Sequence, residues 1–196
     1  MAPRALTVGA ASQPYPGETV NGDAWLAEQQ GERWRLALID GLGHGPEAAA
    51  AARAALDALA AWPEASPLDA LVACHQALHH TRGAAIAIAS IDLAAGQLCF
   101  AGVGNVEARL RQDGKERRLM SYRGIVGAVL PRLRAFDLPL SDDWLLVLHS
   151  DGVSARFDLS EELPGAHHPD DLAAQILTRW ARPTDDATVV VARPPL

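Results

Sequence analysis

Hydrophobic and polar positions alternate along the chain in two rhythms. Short alternating or continuous apolar runs occupy "RALTVGAAS" (4–12), "DAWLAEQ" (23–29) and "RWRLALID" (33–40), and each reads as a strand. The polar "QGER" between the second and third predicts a hairpin connection. Residues 46–62 then shift to helical spacing, with Pro46 at a first helical position and Pro63 beyond the end. A second helix is expected from Ser66-Pro67 through "LDALVACHQALHH", where Leu68, Leu71, Val72 and Leu78 recur at helical intervals. Strand patterns return at 83–93, 96–104, 105–112, 134–140 and 143–151. A helix is predicted over 169–181, around Leu172, Ile176, Leu177 and Trp180, and the β-branched "DATVVVAR" (186–193) closes as a strand.

Strands thus come in groups broken by paired helices, which favours antiparallel sheets with helices on their faces over alternating βαβ units. The alanine-rich stretch 48–61 reads as a helix whose small side chains allow close approach to a sheet. No repeat or linker divides the chain, so residues 1–196 are expected to form one domain.

Composition narrows the classes. Of 196 residues 49% are hydrophobic and 21% charged, a profile of globular rather than disordered chains. No apolar run approaches the roughly 20 residues of a membrane span, and "MAPRALTVGAAS" lacks signal-peptide organisation; a cytoplasmic protein without a membrane partner is expected. The net charge of −7 argues against nucleic acid as a partner. The densest basic run, "RLRQDGKERRL" (109–119), reads as a solvated hairpin. Cys74 and Cys99 lack metal-type spacing and read as buried free thiols.

The chemistry gathers at acids beside turns: Asp23 in "NGDAW", Asp40 in "LIDGLGHG", Asp151 in "LHSDGV", and Asp185 and Asp186 in "PTDDAT". One Asp-Gly is an ordinary turn dipeptide. Two of them, each directly after an apolar strand, together with two further acidic sites, fit hard divalent cations, which prefer carboxylate oxygen. If the four sites converge, their repulsion calls for compensation by two such ions. "GLGHG" also suggests a dinucleotide loop, but GxGxxG is not matched and Asp40 has the wrong sign for an uncompensated phosphate.

"DGLGHG" after an apolar strand, "SDGV" after "WLLVL" and the C-terminal "DDATVVV" resemble the PPM-class (type 2C) metal-dependent serine/threonine phosphatases in their bacterial SpoIIE-type branch. "AGVGNVEARL" and "RGIVGAVLPRLR" are similar to the stand-alone RsbX-type stressosome phosphatases. The resemblance implies an α+β four-layer αββα sandwich, two antiparallel sheets flanked by helix pairs, with two Mn²⁺ or Mg²⁺ ions at one end. It also implies that Asp40 bridges the ions, that the Gly41 carbonyl binds one, and that Asp151 and Asp185 complete the other's ligands. Asp23 would act directly or through water, Asp186 as an outer or alternative ligand, and Glu18 in the outer shell. The implied reaction is hydrolysis of phosphoserine or phosphothreonine by a metal-activated hydroxide, with His44 as the candidate general acid. The implied partner is a phosphorylated STAS-domain stressosome protein or anti-sigma antagonist in stress-response partner switching. A noncatalytic module that binds such a partner is the alternative.

Other residues read as structural or open. His75 and His79 form a half-exposed helix face without an HExxH motif, and His149 lies beside "SDG" in uncertain phase. Arg123, Arg132 and Arg134 either guide a phosphoprotein or are solvated. Relatives of the wider class hold phosphate with an arginine in the first strand; here only Arg4 lies in that region. The short segment between Gly152 and Asp185 leaves little room for the flap or third metal of larger relatives.

Overall fold

The structure, a computed structural model, describes residues 5–162 and 168–195; Arg4 lies outside them. Its elements run β1 (Thr7–Gln13), β2 (Asp23–Gln30), β3 (Arg33–Gly41), α1 (Pro46–Ala61), α2 (Pro67–Ala77), β4 (Ala84–Asp92), β5 (Gln97–Val103), β6 (Glu107–Gln112), β7 (Lys115–Leu119), β8 (Phe136–Pro139), β9 (Trp144–His149), α3 (Leu159–Glu162), α4 (Pro169–Trp180) and β10 (Ala187–Arg193). Two five-stranded antiparallel sheets result, in the orders β1-β10-β9-β6-β7 and β2-β3-β4-β5-β8.

Side-chain alternation explains why the central strands are apolar throughout: both of their faces are covered. Leu36, Leu38, Ala87 and Phe100 of one sheet meet Leu110, Leu146, Leu148 and Val190 of the other. Their neighbours Ala37, Ile39, Ile86 and Ile88 turn outward to Ala52, Ala55, Leu59, Leu71 and Cys74 of α1 and α2. On the far side Leu145, Val147, Val189 and Val191 meet Leu172, Ala173 and Ile176 of α4. The layers are therefore helix, sheet, sheet, helix, the second helical layer being α4 with the single turn of α3.

Small residues bring α1 close to its sheet. Ala48, Ala51, Ala52 and Ala55 are buried, and a Cβ on Gly41 would overlap the Ala48 carbonyl. Glycine at 41 thus lets the helix start directly behind the strand end.

Three local expectations change. The second helix stops at Ala77, where Leu78 takes φ −90° and ψ 0°, so His79 falls in the turn that follows; its buried face is Pro67, Ala70, Leu71 and Cys74, and Val72 is exposed. The 109–119 segment is a hairpin with Asp113 and Gly114 at positive φ, as a tight two-residue turn requires. Its first arginine is not solvated, however: Arg109 is 1% exposed. The one-turn α3 is too short to produce a periodic signal.

Candidate metal centre

The hairpin β2–β3 sets the first geometric fact. Its register places Asp23 directly opposite Asp40 at the open end of the sheet. Like charges in this position repel. Burial, reinforced by the charges of Asp23, Asp151 and Asp185, pushes the Asp40 carboxyl up to about 9. Burial likewise pushes Asp23 up to about 7, against the hydrogen bond from Ser150 and with Asp186 and Asp185 adding to the rise.

The other sheet supplies the opposing wall. Ser150 Oγ donates to Asp23 Oδ2 at 2.7 Å and accepts the Thr188 amide at 3.0 Å, tying the ends of β9 and β10 to β2. Asp151 follows immediately, receives a hydrogen bond from Asn105 Nδ2 and lies close enough to Asp40 to help raise that carboxyl's pKa. Asp186 is buried, accepts the Tyr15 amide at 2.8 Å through Oδ1, and faces Gly22, where a Cβ would come within 2.5 Å of its Oδ2. Asp185 stands partly exposed beside it; burial and then the Asp151 charge raise its pKa.

Loop 41–45 completes the rim. Gly43 and Gly45 adopt φ of 84° and 75°, which carries the chain from β3 into α1. Between them His44 stacks on Tyr15, with ring centroids 4.1 Å apart, and its Nδ1 lies 2.9 Å from Glu18 Oε1. Glu18 is therefore engaged with His44, and its carboxylate lies against Gly45. His44 is close enough to Asp185 for its charge to lower that carboxyl's pKa.

The donors at this end are oxygens, and Asp23 Oδ1, Asp40 Oδ2 and Asp186 Oδ2 are buried without a hydrogen-bond partner. Buried carboxylate oxygens without donors are costly unless a cation or proton meets them. This donor set fits hard divalent ions. The acids approach in pairs: among the described residues, no group of three His, Cys, Asp or Glu side chains is arranged around a single ion position.

A pH dependence follows. The unfolded chain ionises these aspartates near 3.8, so from there up to about 9 the metal-free fold holds protons that the unfolded chain has lost. This term lowers stability as pH rises through that window, and a divalent ion bound here would relieve it by replacing the protons. Mn²⁺ is expected to raise Tm more at about pH 8.5 than at about pH 6. Equal increments in differential scanning fluorimetry would count against carboxylate coordination.

His149, His75 and His79 stay outside the cluster. His149 is 1% exposed on the outer face of its sheet, edge-on to Phe157 at 5.3 Å, with Nδ1 3.0 Å from the Ser150 carbonyl; burial lowers its pKa to about 4, which makes it a neutral packing residue. His75 Nδ1 accepts the Gly127 amide at 2.9 Å, and its ring meets His79 edge-on. Both cysteines are free; Cys74 is buried and Cys99 half-buried, and burial pushes both thiols up to about 12.

Residues 30–195 match the profile of the stage II sporulation protein E (SpoIIE) family. The chain belongs to the SpoIIE family. One similar structure, from work described as "The bacterial stressosome: a modular system that has been adapted to control secondary messenger signaling", is 30% identical, with a TM-score of 0.92 over 96% of this chain and 100% of that one. RsbX crystallised in complex with magnesium shares the fold at 19% identity and a TM-score of 0.87, over 96% of this chain and 95% of its own. The catalytic domain of the serine/threonine protein phosphatase PstP in complex with two manganese ions does so at 19% and 0.73, over 97% and 99%. A search of curated proteins finds no match. The architecture of this SpoIIE-family chain is thus the α+β sandwich expected from its motifs.

Sequence reasoning missed the supports of the acids in this SpoIIE-family chain. Ser150 and Asn105 hold Asp23 and Asp151, and Asn21 Oδ1 accepts the Asp23 amide at 2.8 Å. Asn21 has a local signal, since Asn two residues before an acid is a turn former. Ser150 and Asn105 lie 127 and 46 residues from the aspartates they contact, beyond the reach of any spacing rule.

Proposed function

We propose that this chain is a Mn²⁺- or Mg²⁺-dependent phosphatase that hydrolyses phosphoserine or phosphothreonine on a bacterial signalling protein. The observation that carries this reading is the opposed pair Asp23 and Asp40, the first buried and the second half-buried, mutually repelling and with one buried, unpartnered oxygen each. Asp40, the Gly41 carbonyl, Asp151 and Asp185 would hold the ions, with Asp23 acting directly or through water and Asp186 behind. Divalent ions bound there supply Lewis acidity toward water and the phosphoryl oxygens.

The chain's own groups do the rest. Ser150 and Asn105 fix the carboxylate rotamers, and Asp186 anchors the Tyr15 loop against the last strand. With Nδ1 engaged by Glu18, Nε2 is the nitrogen of His44 left to give a proton to the departing serine or threonine oxygen. Stacking on Tyr15 restricts the ring's orientation. The association of one similar structure with the stressosome, and the likeness to RsbX, support a phosphorylated STAS-domain stressosome protein or anti-sigma antagonist as substrate.

Incubation with phosphorylated candidate regulators, followed by Phos-tag electrophoresis, tests this reading. Dephosphorylation is expected to be roughly 100-fold or more faster with Mn²⁺ than with EDTA. Tight partner binding with no turnover in Mn²⁺ would overturn it in favour of a noncatalytic module.

A further inference from the structure

A groove of about 900 Å³ adjoins the acids, its lining including Leu42, Asn105, Asp151, Arg118, Arg123 and Ile125. A phosphoryl dianion entering here meets carboxylates, so cations around the groove determine how it is held. Most are already engaged. Arg118 Nη2 donates to the Ala155 carbonyl at 3.1 Å and faces Glu107; Arg82, beside Gly43, pairs with Glu47; His44 pairs with Glu18. Arg132 and Arg134 are exposed and do not line the groove. Arg123 lines it, is exposed, and among the described residues has no hydrogen-bond or ion-pair partner.

Its backbone, by contrast, is pinned. On one side the Tyr122 amide donates to the Gly102 carbonyl at 2.9 Å and the Tyr122 carbonyl accepts the Gly104 amide at 2.8 Å. On the other, Ile125 and Val129 exchange backbone hydrogen bonds at 2.8 Å each, and a Cβ on Gly124 would come within 2.7 Å of the Val129 carbonyl. The strand end that clasps Tyr122 continues into Asn105, which holds Asp151. Arg123 is thus a free guanidinium carried on a fixed backbone, which Tyr122, Gly104 and Asn105 link to Asp151. A fixed backbone lowers the ordering cost of binding, and a guanidinium fork matches phosphoryl oxygens.

We propose that Arg123 is the phosphate-binding residue of this site, taking two phosphoryl oxygens of the phosphoserine or phosphothreonine in bidentate hydrogen bonds. The assignment rests on the phosphatase reading for its substrate, and on the groove for its position.

Arg123→Ala and Arg123→Lys, with Arg132→Ala as an exposed control, test it. Arg123→Ala is expected to raise KM for a phosphopeptide, and the inhibition constant of inorganic phosphate, by about 10-fold or more. Arg123→Lys should recover part of the loss, Arg132→Ala should match the parent, and the Mn²⁺-induced rise in Tm should persist in all. A fall in kcat with both constants unchanged, or no change at all, overturns the proposal. If the parent protein turns over no phosphoprotein, ³¹P NMR titration of inorganic phosphate in Mg²⁺ still decides. Phosphate binding weakened by Arg123→Ala then supports the anion site without the phosphatase reading, and equal binding overturns it.

Discussion

Asp40→Asn is expected to move activity and stability in opposite directions. Metal-dependent hydrolysis should fall by roughly 10³-fold or more, about 4 kcal/mol of transition-state stabilisation, because a neutral amide is a far weaker ligand than a carboxylate for the hard divalent ions that Asp40 would hold. The metal-free protein should become more stable by roughly 1–3 kcal/mol, which for a chain of this size shifts Tm by about 2–4 °C per kcal/mol. Asp40 is held up to about 9 by burial and by three acidic neighbours, so at neutral pH the fold bears either a strained charge or a proton taken from solvent. An amide of the same shape avoids that choice, and its NH₂ group is a donor that the surrounding carboxylate oxygens lack. Thermal melts with and without Mn²⁺ check both halves: the variant should start higher and lose the metal-induced rise. A variant that starts lower and still responds to Mn²⁺ would remove Asp40 from the centre of the site. Stability given up locally for a reactive cluster is the usual cost of function.

Much of this site was legible in the sequence, and the reasons are specific. Asp40 and Asp151 stood out because each follows a continuous apolar run that no exposed turn requires. The opposition of Asp23 and Asp40 was also within reach. Gln30 and Arg33 pair across the two-residue turn at Gly31, and counting seven residues outward on each strand arrives at both acids. The layering was less accessible, because a strand covered on both faces reads as apolar throughout and does not say which neighbour covers which face. Arg35 and Arg109 were invisible for a related reason. Arg35 donates to the Leu59 and Trp62 carbonyls at the end of α1, at 2.6 and 2.7 Å, and the partners of Arg109 are chiefly carbonyls of a loop 46 and 48 residues away. A charged residue whose partners are distant backbone atoms looks solvated in the sequence.

Arg109 carries the largest structural prediction. Its Nη1 donates to the Phe157 carbonyl at 2.7 Å and to Glu116 at 3.1 Å, its Nη2 donates to the Ala155 carbonyl, and the guanidinium lies 3.9 Å from the Phe157 ring centroid. It fastens the chain that leaves Asp151, where the Val153 amide returns to the Ser150 carbonyl and the Arg182 amide reaches the Gly152 carbonyl at 2.7 Å. Arg109→Ala strips the Phe157 carbonyl of its donor, leaves the Ala155 carbonyl with Arg118 alone and removes the stacked cation, for an expected loss of about 3 kcal/mol. Arg109→Met separates the causes, since it restores the apolar stem without the donors. If the lost hydrogen bonds dominate, methionine should recover less than half of the loss, as read from urea midpoints at unchanged m-value. Because the same loop positions Asp151 and, through Gly152, the segment before β10, both variants should also bind Mn²⁺ more weakly than the parent while still folded. A midpoint unchanged by Arg109→Ala would show that the buried guanidinium is dispensable. A lower midpoint with unaltered Mn²⁺ affinity would separate the tether from the acidic site and confine Arg109 to the outer layer of the fold.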